Sequence, residues 1–192
     1  DDVNNSGIEV GDFITFDPRF EYTESGFIKS RHLDDKASVA ILAGLCKHII
    51  DNDISLENSV QILITNYEEV GHGASSGLMP SVRELLCLDM GAPGTGQNSS
   101  EYAVSICAKD SGGPYDFSLR SRLVKLAKDN DIDYKVDIYP HYGSDAGSAL
   151  RSGFDIKFGL IGPGVYASHS YERTHKDSIA NTAELALKYI LL

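Results

Sequence analysis

Two adjacent glutamates, Glu68 and Glu69, directly follow an apolar run, Ser59-Val-Gln-Ile-Leu-Ile-Thr65, that has the composition of a buried strand. Two carboxylates at the end of such a strand cannot both be core residues. In a loop, however, one of them can bind a metal ion while the other transfers protons. Three further candidate ligands occur at comparable positions elsewhere in the chain: Asp34, Asp89 and His169. Together these residue types predict a metal-dependent hydrolase.

The candidate ligands have the composition that a two-metal centre requires. Catalytic zinc sites take histidine nitrogen and carboxylate oxygen and leave one position open for water. A pair of metals about 3.5–4 Å apart also needs a carboxylate that bridges them. Asp34, Glu69, Asp89 and His169 offer such a set, and nitrogen and oxygen ligands of this kind suit Zn²⁺, Co²⁺ and Mn²⁺.

Each candidate also has a purely structural interpretation. Asp34 precedes a helix, where a carboxylate often caps free N–H groups. The two glutamates could be solvated in a surface loop, and His169 could pack against Tyr171. Asp89 is harder to explain in this way, because a carboxylate that ends a buried strand needs a partner. The combination is therefore more specific than any single residue.

The elements that must position these residues alternate between strands and helices. Apolar and polar periodicity predicts two or three short strands within 8–30, a helix over 35–51 and a strand over 59–65. The remaining predicted elements are strands at 84–90, 102–108, 134–139 and 155–161, and helices at 116–129, from 145 and at 178–191. This order predicts an α/β layered fold with a central, mostly parallel sheet flanked by helices and with sites at the carboxyl ends of strands.

Composition narrows the class of protein and its partners. The net charge is −11, from 17 basic and 28 acidic residues, which disfavours nucleic acid and anionic membranes as partners. No apolar run approaches the roughly 20 residues that span a bilayer. Cys46, Cys87 and Cys107 lie in apolar segments without Cys-x-x-Cys spacing, which predicts reduced thiols and a cytoplasmic location.

Five ordered segments resemble the family of tetrahedral, glutamyl or deblocking aminopeptidases, which are di-metal peptidases. They are Ser30-Arg-His-Leu-Asp-Asp-Lys36, Tyr67-Glu-Glu-Val-Gly-His-Gly-Ala74, Leu88-Asp-Met90, His141-Tyr-Gly-Ser-Asp-Ala-Gly147 and Ser168-His-Ser-Tyr-Glu-Arg-Thr-His175. The resemblance runs in order from about residue 7 to the end of the chain. It implies a zinc-peptidase-like fold, peptide substrates and a homo-oligomer, which in this family is a dodecamer.

The resemblance also implies a role for each candidate residue. Asp34 would bridge two divalent metal ions, which would be zinc, cobalt or manganese. Glu69 and His169 would complete one metal site, and Asp89 would serve the other. Glu68 would be the general base in the removal of amino-terminal residues from peptides by water. Relatives commonly have a cis peptide after the bridging aspartate, so we expect one on the carboxyl side of Asp34.

The segment Tyr142, Gly143, Ser144 and Asp145 leads into a predicted helix. The free N–H groups at the start of a helix can bind a substrate oxygen, so these four residues are candidate substrate-binding residues. Capping of the helix by Ser144 or Asp145 is the structural alternative.

The resemblance covers only part of a family member. Residues 1–30 are expected to be the end of an inserted small β domain, and 31–192 a catalytic domain without its amino-terminal segment. The family also binds one metal through a histidine in a His-x-Asp motif, and this sequence contains no such motif. The chain is therefore expected to be an incomplete fragment.

Three other functions stay open from the sequence. The chain could be an inactive remnant without the first metal-binding histidine, or a related di-metal deacylase or carboxypeptidase. It could also be a carbohydrate hydrolase with Glu68 and Glu69 as its acid pair. Glycosidases need two carboxyl groups about 5–9 Å apart across one sugar bond, a geometry that adjacent residues rarely provide.

Overall fold

The computed structural model describes residues 2–192, which form two sheets with helices packed around the larger one. The helices are α1 (Asp2–Asn5), α2 (Leu33–Asp51), α3 (Phe117–Asp129), α4 (Asp145–Arg151) and α5 (Lys176–Ile190). The strands are β1 (Glu21–Tyr22), β2 (Phe27–Ser30), β3 (Glu84–Leu88), β4 (Val104–Asp110), β5 (Gly113–Pro114), β6 (Tyr134–Ile138), β7 (Lys157–Pro163) and β8 (Glu172–His175). A single 3₁₀ turn covers Glu68–Val70.

The larger sheet has the order β3-β7-β4-β5, and β6 also pairs with β4. Strands β3 and β7 are parallel, as are β4 and β6, whereas β4 runs antiparallel to both β7 and β5. The α/β class with a helix-flanked sheet is confirmed, and the sheet is mixed, because the two longer ladders are parallel and the two shorter ones are antiparallel. One cause is local: a tight connection joins Asp110 to Gly113, and so short a link permits only antiparallel pairing.

Apolar side chains fill both faces of this sheet. Helix α3 buries Leu119, Leu123 and Ala127, which recur at the spacing of one helical face. Its first turn is capped by Asp116, whose carboxylate accepts a hydrogen bond of 2.7 Å from the Leu119 N–H. Gly159 of β7 lets this helix approach closely, because a Cβ atom there would lie 3.1 Å from the Leu119 side chain. On the opposite face, α4 covers a second apolar cluster: Cys87, Cys107, Tyr115, Tyr139, Ala146 and Leu160.

The predicted strand over 59–65 does not form. The segment is extended, but among the described residues it has no partner strand, so it lacks a backbone ladder. The segment has the composition of a strand, and its side chains still alternate between exposed and half-buried positions. Val60, Ile62 and Ile64 are 44%, 41% and 59% exposed, while the residues between them are half-buried.

The smaller sheet joins the beginning of the chain to its end. The two strands that form within residues 8–30 are β1 and β2, and β2 pairs antiparallel with β8. Strand β8 has the polar sequence Glu-Arg-Thr-His and was not predicted, because it lacks the apolar alternation that indicates a strand. Its first residue, Glu172, lies opposite Ser30 of β2.

The cysteines agree with the sequence prediction of reduced thiols. All three are free, and Cys87 and Cys107 are buried. Burial raises the pKa of the Cys107 thiol to about 12 and holds the pKa of Cys87 well above its usual range. Both thiols are therefore protonated and poorly reactive near neutral pH. Within residues 2–192, the helices also fall short of the length and apolarity needed to cross a membrane.

We expect the core of α3 to dominate stability. Leu123 is fully buried, so Leu123→Ala should lower the free energy of unfolding by about 2–5 kcal/mol, through lost burial and the cavity left behind. Denaturant unfolding followed by circular dichroism measures this change. Leu191 is 42% exposed, and the control Leu191→Ala should change stability by no more than about 0.5 kcal/mol. Equal effects of the two substitutions would contradict this account of the core.

Candidate metal centre

The five candidate residues converge although they come from four separate parts of the chain. Asp34 lies at the start of α2, and the two glutamates lie in the 3₁₀ turn. Asp89 directly follows β3, and His169 lies in the loop before β8. The contacts are short: His169 Nε2 is 3.0 Å from Glu69 Oε2 and 3.4 Å from Asp34 Oδ2.

Two groups of ligand atoms meet the spacing of a metal site. In the first group, one atom from each of Asp34, Glu69 and His169 lies within 4.8 Å of the others. The same holds in the second group for Asp34, Asp35 and Asp89. Asp34 belongs to both groups, which is the position that a bridging carboxylate occupies.

The backbone around Asp34 departs from helical geometry. Asp34 has φ −81° and ψ 103°, and Asp35 has φ −120° and ψ 35°, so the regular helix begins after them. The peptide bond between the two is cis, as expected from the resemblance. His32, the residue before α2, makes no side-chain capping hydrogen bond, and the Asp34 carboxylate accepts a hydrogen bond from the Ser168 hydroxyl. Capping by Asp34 is therefore not supported.

Asp35 was not predicted as part of the site. Its Oδ1 atom is buried and has no hydrogen-bond partner. Burial raises the pKa of Asp35 to about 8, and the negative charge of Asp34 adds to the increase. Asp35 directly follows Asp34 in the sequence, and this adjacency is the signal that could have identified Asp35.

The site carries an excess of negative charge that no nearby cation balances. Burial holds the pKa of Asp89 well above its usual range, and the charges of Asp35 and Asp34 raise it further. Among residues 2–192, the only ion-pair contacts of these carboxylates are those with His169. A divalent cation would compensate this charge and would give the buried Asp35 oxygen a partner. The donors present thus fit a metal centre.

Glu68 lies beside these groups but belongs to neither of them. It is half-buried, and burial raises its pKa to about 7, with contributions from the negative charges of Asp145 and Glu69. A carboxyl group with a pKa near neutrality can both accept and release a proton. The raised pKa of Glu68 is therefore compatible with the predicted role of a general base.

A buried carboxylate, Glu172, holds the two loops of the first group together. It is 1% exposed. One oxygen accepts a hydrogen bond of 2.9 Å from the Asp34 N–H, and the other accepts one of 3.0 Å from the His169 N–H. Ser168 adds a hydrogen bond of 2.6 Å from its hydroxyl to Asp34 Oδ2. Sequence reasoning missed Glu172, although a carboxylate three residues after a candidate ligand is a usable signal.

The predicted substrate-binding loop makes mostly internal contacts. Ser144 is buried, and its hydroxyl is 2.7 Å from the Tyr115 hydroxyl. Tyr142 donates a hydrogen bond of 2.8 Å to the Met90 carbonyl, and Asp145 accepts one of 2.8 Å from Thr65. Gly143 alone of the four predicted residues is exposed. Substrate binding by this loop stays a prediction, and the contacts give three of its side chains a structural role.

A cavity of about 470 Å³ opens beside the first group. Its lining includes Phe16 and Arg31 from the part of the chain that precedes α2, in addition to Asp34, Glu69 and His169. The Arg31 guanidinium lies 5.3 Å from the centre of the Phe16 ring and donates to the Asp17 carbonyl. Phe16 and Arg31 therefore form one wall of the cavity next to the candidate ligands.

The structure places two carboxylate-rich groups that share one aspartate beside a helix-flanked mixed sheet. This arrangement fits the class of metal-dependent hydrolases. The family model described as M42 glutamyl aminopeptidase matches residues 1–185, and the chain belongs to this family.

A curated relative agrees with this assignment, and two solved structures share the fold. The chain is 57% identical over 189 residues to a Bacillus subtilis protein named "Putative aminopeptidase YhfE", with 98% of this chain and 55% of that protein covered. The structure of a PhTET1-12s dodecamer matches with a TM-score of 0.81 at 22% sequence identity. The match covers 92% of this chain and 54% of the PhTET1-12s chain. The Pyrococcus horikoshii TET1 peptidase has a TM-score of 0.79 at 22% identity, over 92% of this chain and 53% of its own. The chain thus spans about half the length of the relatives it matches.

We expect Glu172 to control metal affinity through the two loops that it joins. Glu172→Ala should weaken Zn²⁺ binding by about 10–100-fold, because Asp34 and His169 lose their common anchor. Equilibrium dialysis of the chain against Zn²⁺ measures this, with circular dichroism to verify folding. Glu184 is exposed on α5, and the control Glu184→Ala should leave the affinity unchanged. An unaltered affinity in a folded Glu172→Ala protein would rule out the anchoring role.

Proposed function

We propose that this chain forms the greater part of the catalytic centre of a metal-dependent aminopeptidase, which removes amino-terminal residues from peptides. The observation that carries the proposal is Asp34, whose carboxylate is common to two groups of metal-ligand atoms beside Glu68. Membership of a peptidase family supports the reaction class. The ligand atoms support the dependence on metal.

In this proposal Asp34 would be shared by two sites for divalent ions, for which Zn²⁺, Co²⁺ and Mn²⁺ are suitable. Glu69 and His169 would complete one site, and Asp89 would serve the other, with Asp35 close by. Metal ions bound there would lower the pKa of a water molecule and polarise the scissile carbonyl. Glu172 and Ser168 keep Asp34 and the histidine loop in position through the hydrogen bonds described above.

Glu68 is the general base. It takes a proton from the attacking water and returns it to the amine of the departing peptide, a contribution of typically about 10²–10⁴-fold in rate. Its raised pKa, about 7, supports both halves of this proton transfer near neutral pH. Glu69 lies with the ligand atoms and Glu68 does not, so the two adjacent glutamates divide the work between metal binding and proton transfer.

The preference for the first residue of a peptide is proposed to come from the free α-amine of the substrate, which would lie against the metals or against nearby acidic groups. Exposed Glu69 and the cavity beside it give the amine access to this region. An amide nitrogen at the same position is neither charged nor basic, so an internal peptide bond is expected to be a poor substrate.

The rest of the polypeptide in family members is expected to contribute to activity. This chain spans 55% of the Bacillus subtilis relative. The group of Asp34, Asp35 and Asp89 includes no histidine among the described residues, whereas the other group includes His169. We therefore propose that the chain is part of a longer enzyme, with a further ligand supplied from outside these residues, and that alone it is a weak or inactive enzyme.

The assembly, the domain boundaries and the cellular location of this protein are each proposed from a separate observation. Two of the solved structures with this fold are multimers by their descriptions, which supports a homo-oligomer and a dodecamer as its form. Residues 1–30 are proposed to be the end of a small β domain, with 31–192 as the catalytic domain. Three free cysteines support a cytoplasmic location.

The role of Glu68 predicts the result of one conservative substitution. In a polypeptide that joins this sequence to the remaining part of YhfE, Glu68→Gln should reduce turnover of an aminoacyl-anilide by about 10²–10⁴-fold, because the amide cannot accept the proton. Metal content, measured by elemental analysis, should be retained. The matched control is Glu184→Gln on the exposed face of α5. Turnover at the unsubstituted level would exclude Glu68 as the base.

The substrate's amine decides between an aminopeptidase and the other di-metal hydrolases. We expect N-acetylation of a dipeptide substrate to abolish its cleavage by the same joined polypeptide, since the acetylated amine carries no charge. Chelation of metal should also abolish cleavage of the free dipeptide, and added Zn²⁺ or Co²⁺ should restore it. A carboxypeptidase or deacylase would still cleave the acetylated substrate, and that result would refute the aminopeptidase proposal.

A further inference from the structure

The imidazole of His169 is placed by its backbone rather than by packing. Its side chain is 72% exposed, and its ion-pair contacts are with Asp34 and Glu69, the other two members of the first ligand group. The Glu69 side chain is itself exposed, so it gives the ring no rigid support. The position of the imidazole therefore depends on the loop that carries His169.

That loop is the turn of a short hairpin. Tyr166 and Arg173 form its closing pair, because each donates its N–H to the carbonyl of the other, over 2.8 and 3.1 Å. Inside the turn, Ala167 has φ 60° and His169 has φ 65°. This left-handed backbone is unfavourable for residues that carry a Cβ atom, so it persists only where the surroundings hold it. The hairpin therefore needs anchors outside its own turn.

Two consecutive residues of β8 anchor the hairpin from opposite faces. Side chains of a strand alternate between its faces, so Glu172 and Arg173 point in opposite directions. On one face, Glu172 accepts hydrogen bonds from the N–H groups of Asp34 and His169. On the other face, Arg173 Nε donates 2.7 Å to Glu101 Oε1, and Nη2 donates 2.8 Å to Oε2. A bidentate pair of this kind fixes direction as well as distance.

The Arg173 guanidinium also lies close to two aromatic rings. Its central carbon is 5.0 Å from the centre of the Phe27 ring and 5.6 Å from that of the Tyr166 ring. Both rings attract a cation. Phe27 belongs to β2, and Tyr166 belongs to the closing pair of the hairpin. The guanidinium therefore contacts the small sheet and the hairpin at once, a geometry that a lysine cannot reproduce.

Glu101 provides a firm base for this pair. Its side chain is mostly buried, and its carbonyl accepts a hydrogen bond of 3.1 Å from the His175 N–H. The preceding residue packs directly on the segment after β7, because a Cβ atom on Gly164 would lie 2.0 Å from the Ser100 carbonyl oxygen. The loop of Glu101 is thus fixed to two parts of the sheet structure. Arg173 joins the hairpin to that fixed loop.

We propose that Arg173 is a positioning residue of the metal centre: its pair with Glu101 holds the hairpin, and with it the His169 imidazole, at the distance from Asp34 and Glu69 that a metal ion requires. The inference rests on the metal binding proposed above. Within the described part of the chain, the contacts of the Arg173 side chain do not include a ligand atom. Its loss should therefore change metal affinity while every ligand is retained.

A second arginine offers a matched control for a role in stability alone. Arg122 pairs with Glu84, and its side chain is 38% exposed, against 43% for Arg173. Its guanidinium also lies near an aromatic ring, 5.7 Å from the centre of Tyr189. This pair joins α3 to β3, away from the first ligand group. Arg122→Met and Arg173→Met therefore remove comparable interactions, and only the second is expected to affect His169.

Hydrogen exchange of the metal-free chain measures the hairpin directly. In Arg173→Met, the amides of Tyr166 and His169 should exchange at least about tenfold faster than in the unsubstituted chain, because their acceptors lie in the end of the hairpin that loses its anchor. The amide of Tyr139, which donates to the Lys109 carbonyl in the larger sheet, is the internal control. Arg122→Met should leave the exchange of Tyr166 and His169 unchanged.

Zn²⁺ affinity, measured by equilibrium dialysis, provides the second readout. Arg173→Met should weaken binding by at least about tenfold, as is typical when a residue that orients a ligand is removed, and Arg122→Met should not. Glu101→Gln should act in the same direction as Arg173→Met. The double variant should bind no more weakly than Arg173→Met, because both substitutions remove one and the same pair. Circular dichroism verifies folding, and Glu101→Gln decides the matter if Arg173→Met does not fold.

Several results would overturn the proposal. They are unaltered exchange and Zn²⁺ affinity in a folded Arg173→Met chain, equal effects of Arg173→Met and Arg122→Met, and additive losses in the double variant. If the unsubstituted chain binds no Zn²⁺, the metal binding proposed above fails, and exchange at Tyr166 and His169 still decides whether Arg173 holds the hairpin. Zn²⁺ binding that is indifferent to Arg173 would reject this inference and leave the proposed function standing.

Discussion

The accumulation of carboxylates around Asp34 is the constraint on which the arrangement of this protein depends. Burying several acidic side chains side by side is unfavourable unless a cation or a proton balances them. The raised pKa values of Asp35 and Asp89 express that imbalance. A core that served stability alone would contain apolar residues at these positions. The presence of carboxylates where several loops meet therefore indicates a chemical role.

The scaffold explains how such a cluster can be held together. Its members come from the start of a helix, a 3₁₀ turn, the end of a strand and a loop before another strand. The loops that carry Asp34 and His169 are tied to one buried carboxylate, Glu172, through backbone N–H groups rather than through the ligand atoms themselves. The side-chain oxygens and nitrogens consequently face one another, and of the positioning contacts described the Ser168 hydroxyl uses a ligand atom, Asp34 Oδ2.

Sequence reasoning found Asp34, Glu69, Asp89 and His169 because each ends or begins an element in a motif of recognisable order, and the structure brings all four together. It also predicted α3 closely, since Leu119, Leu123 and Ala127 mark one helical face. It failed where partners decide the outcome. Residues 59–65 have strand composition but no ladder, and polar β8 is a strand only because β2 lies beside it. Glu172 was missed because burial of a carboxylate has no local signature.

The register of the small sheet affects the positions of the two loops that carry Asp34 and His169. Strand β2 runs toward Asp34, and β8 begins at Glu172, with Ser30 opposite Glu172 in the pairing. Side chains of a strand alternate between its two faces, so a slip of one residue would turn the Glu172 carboxylate away from both loops. Neither β2 nor β8 contains a candidate metal ligand. The register between these two strands nevertheless determines how far apart Asp34 and His169 lie.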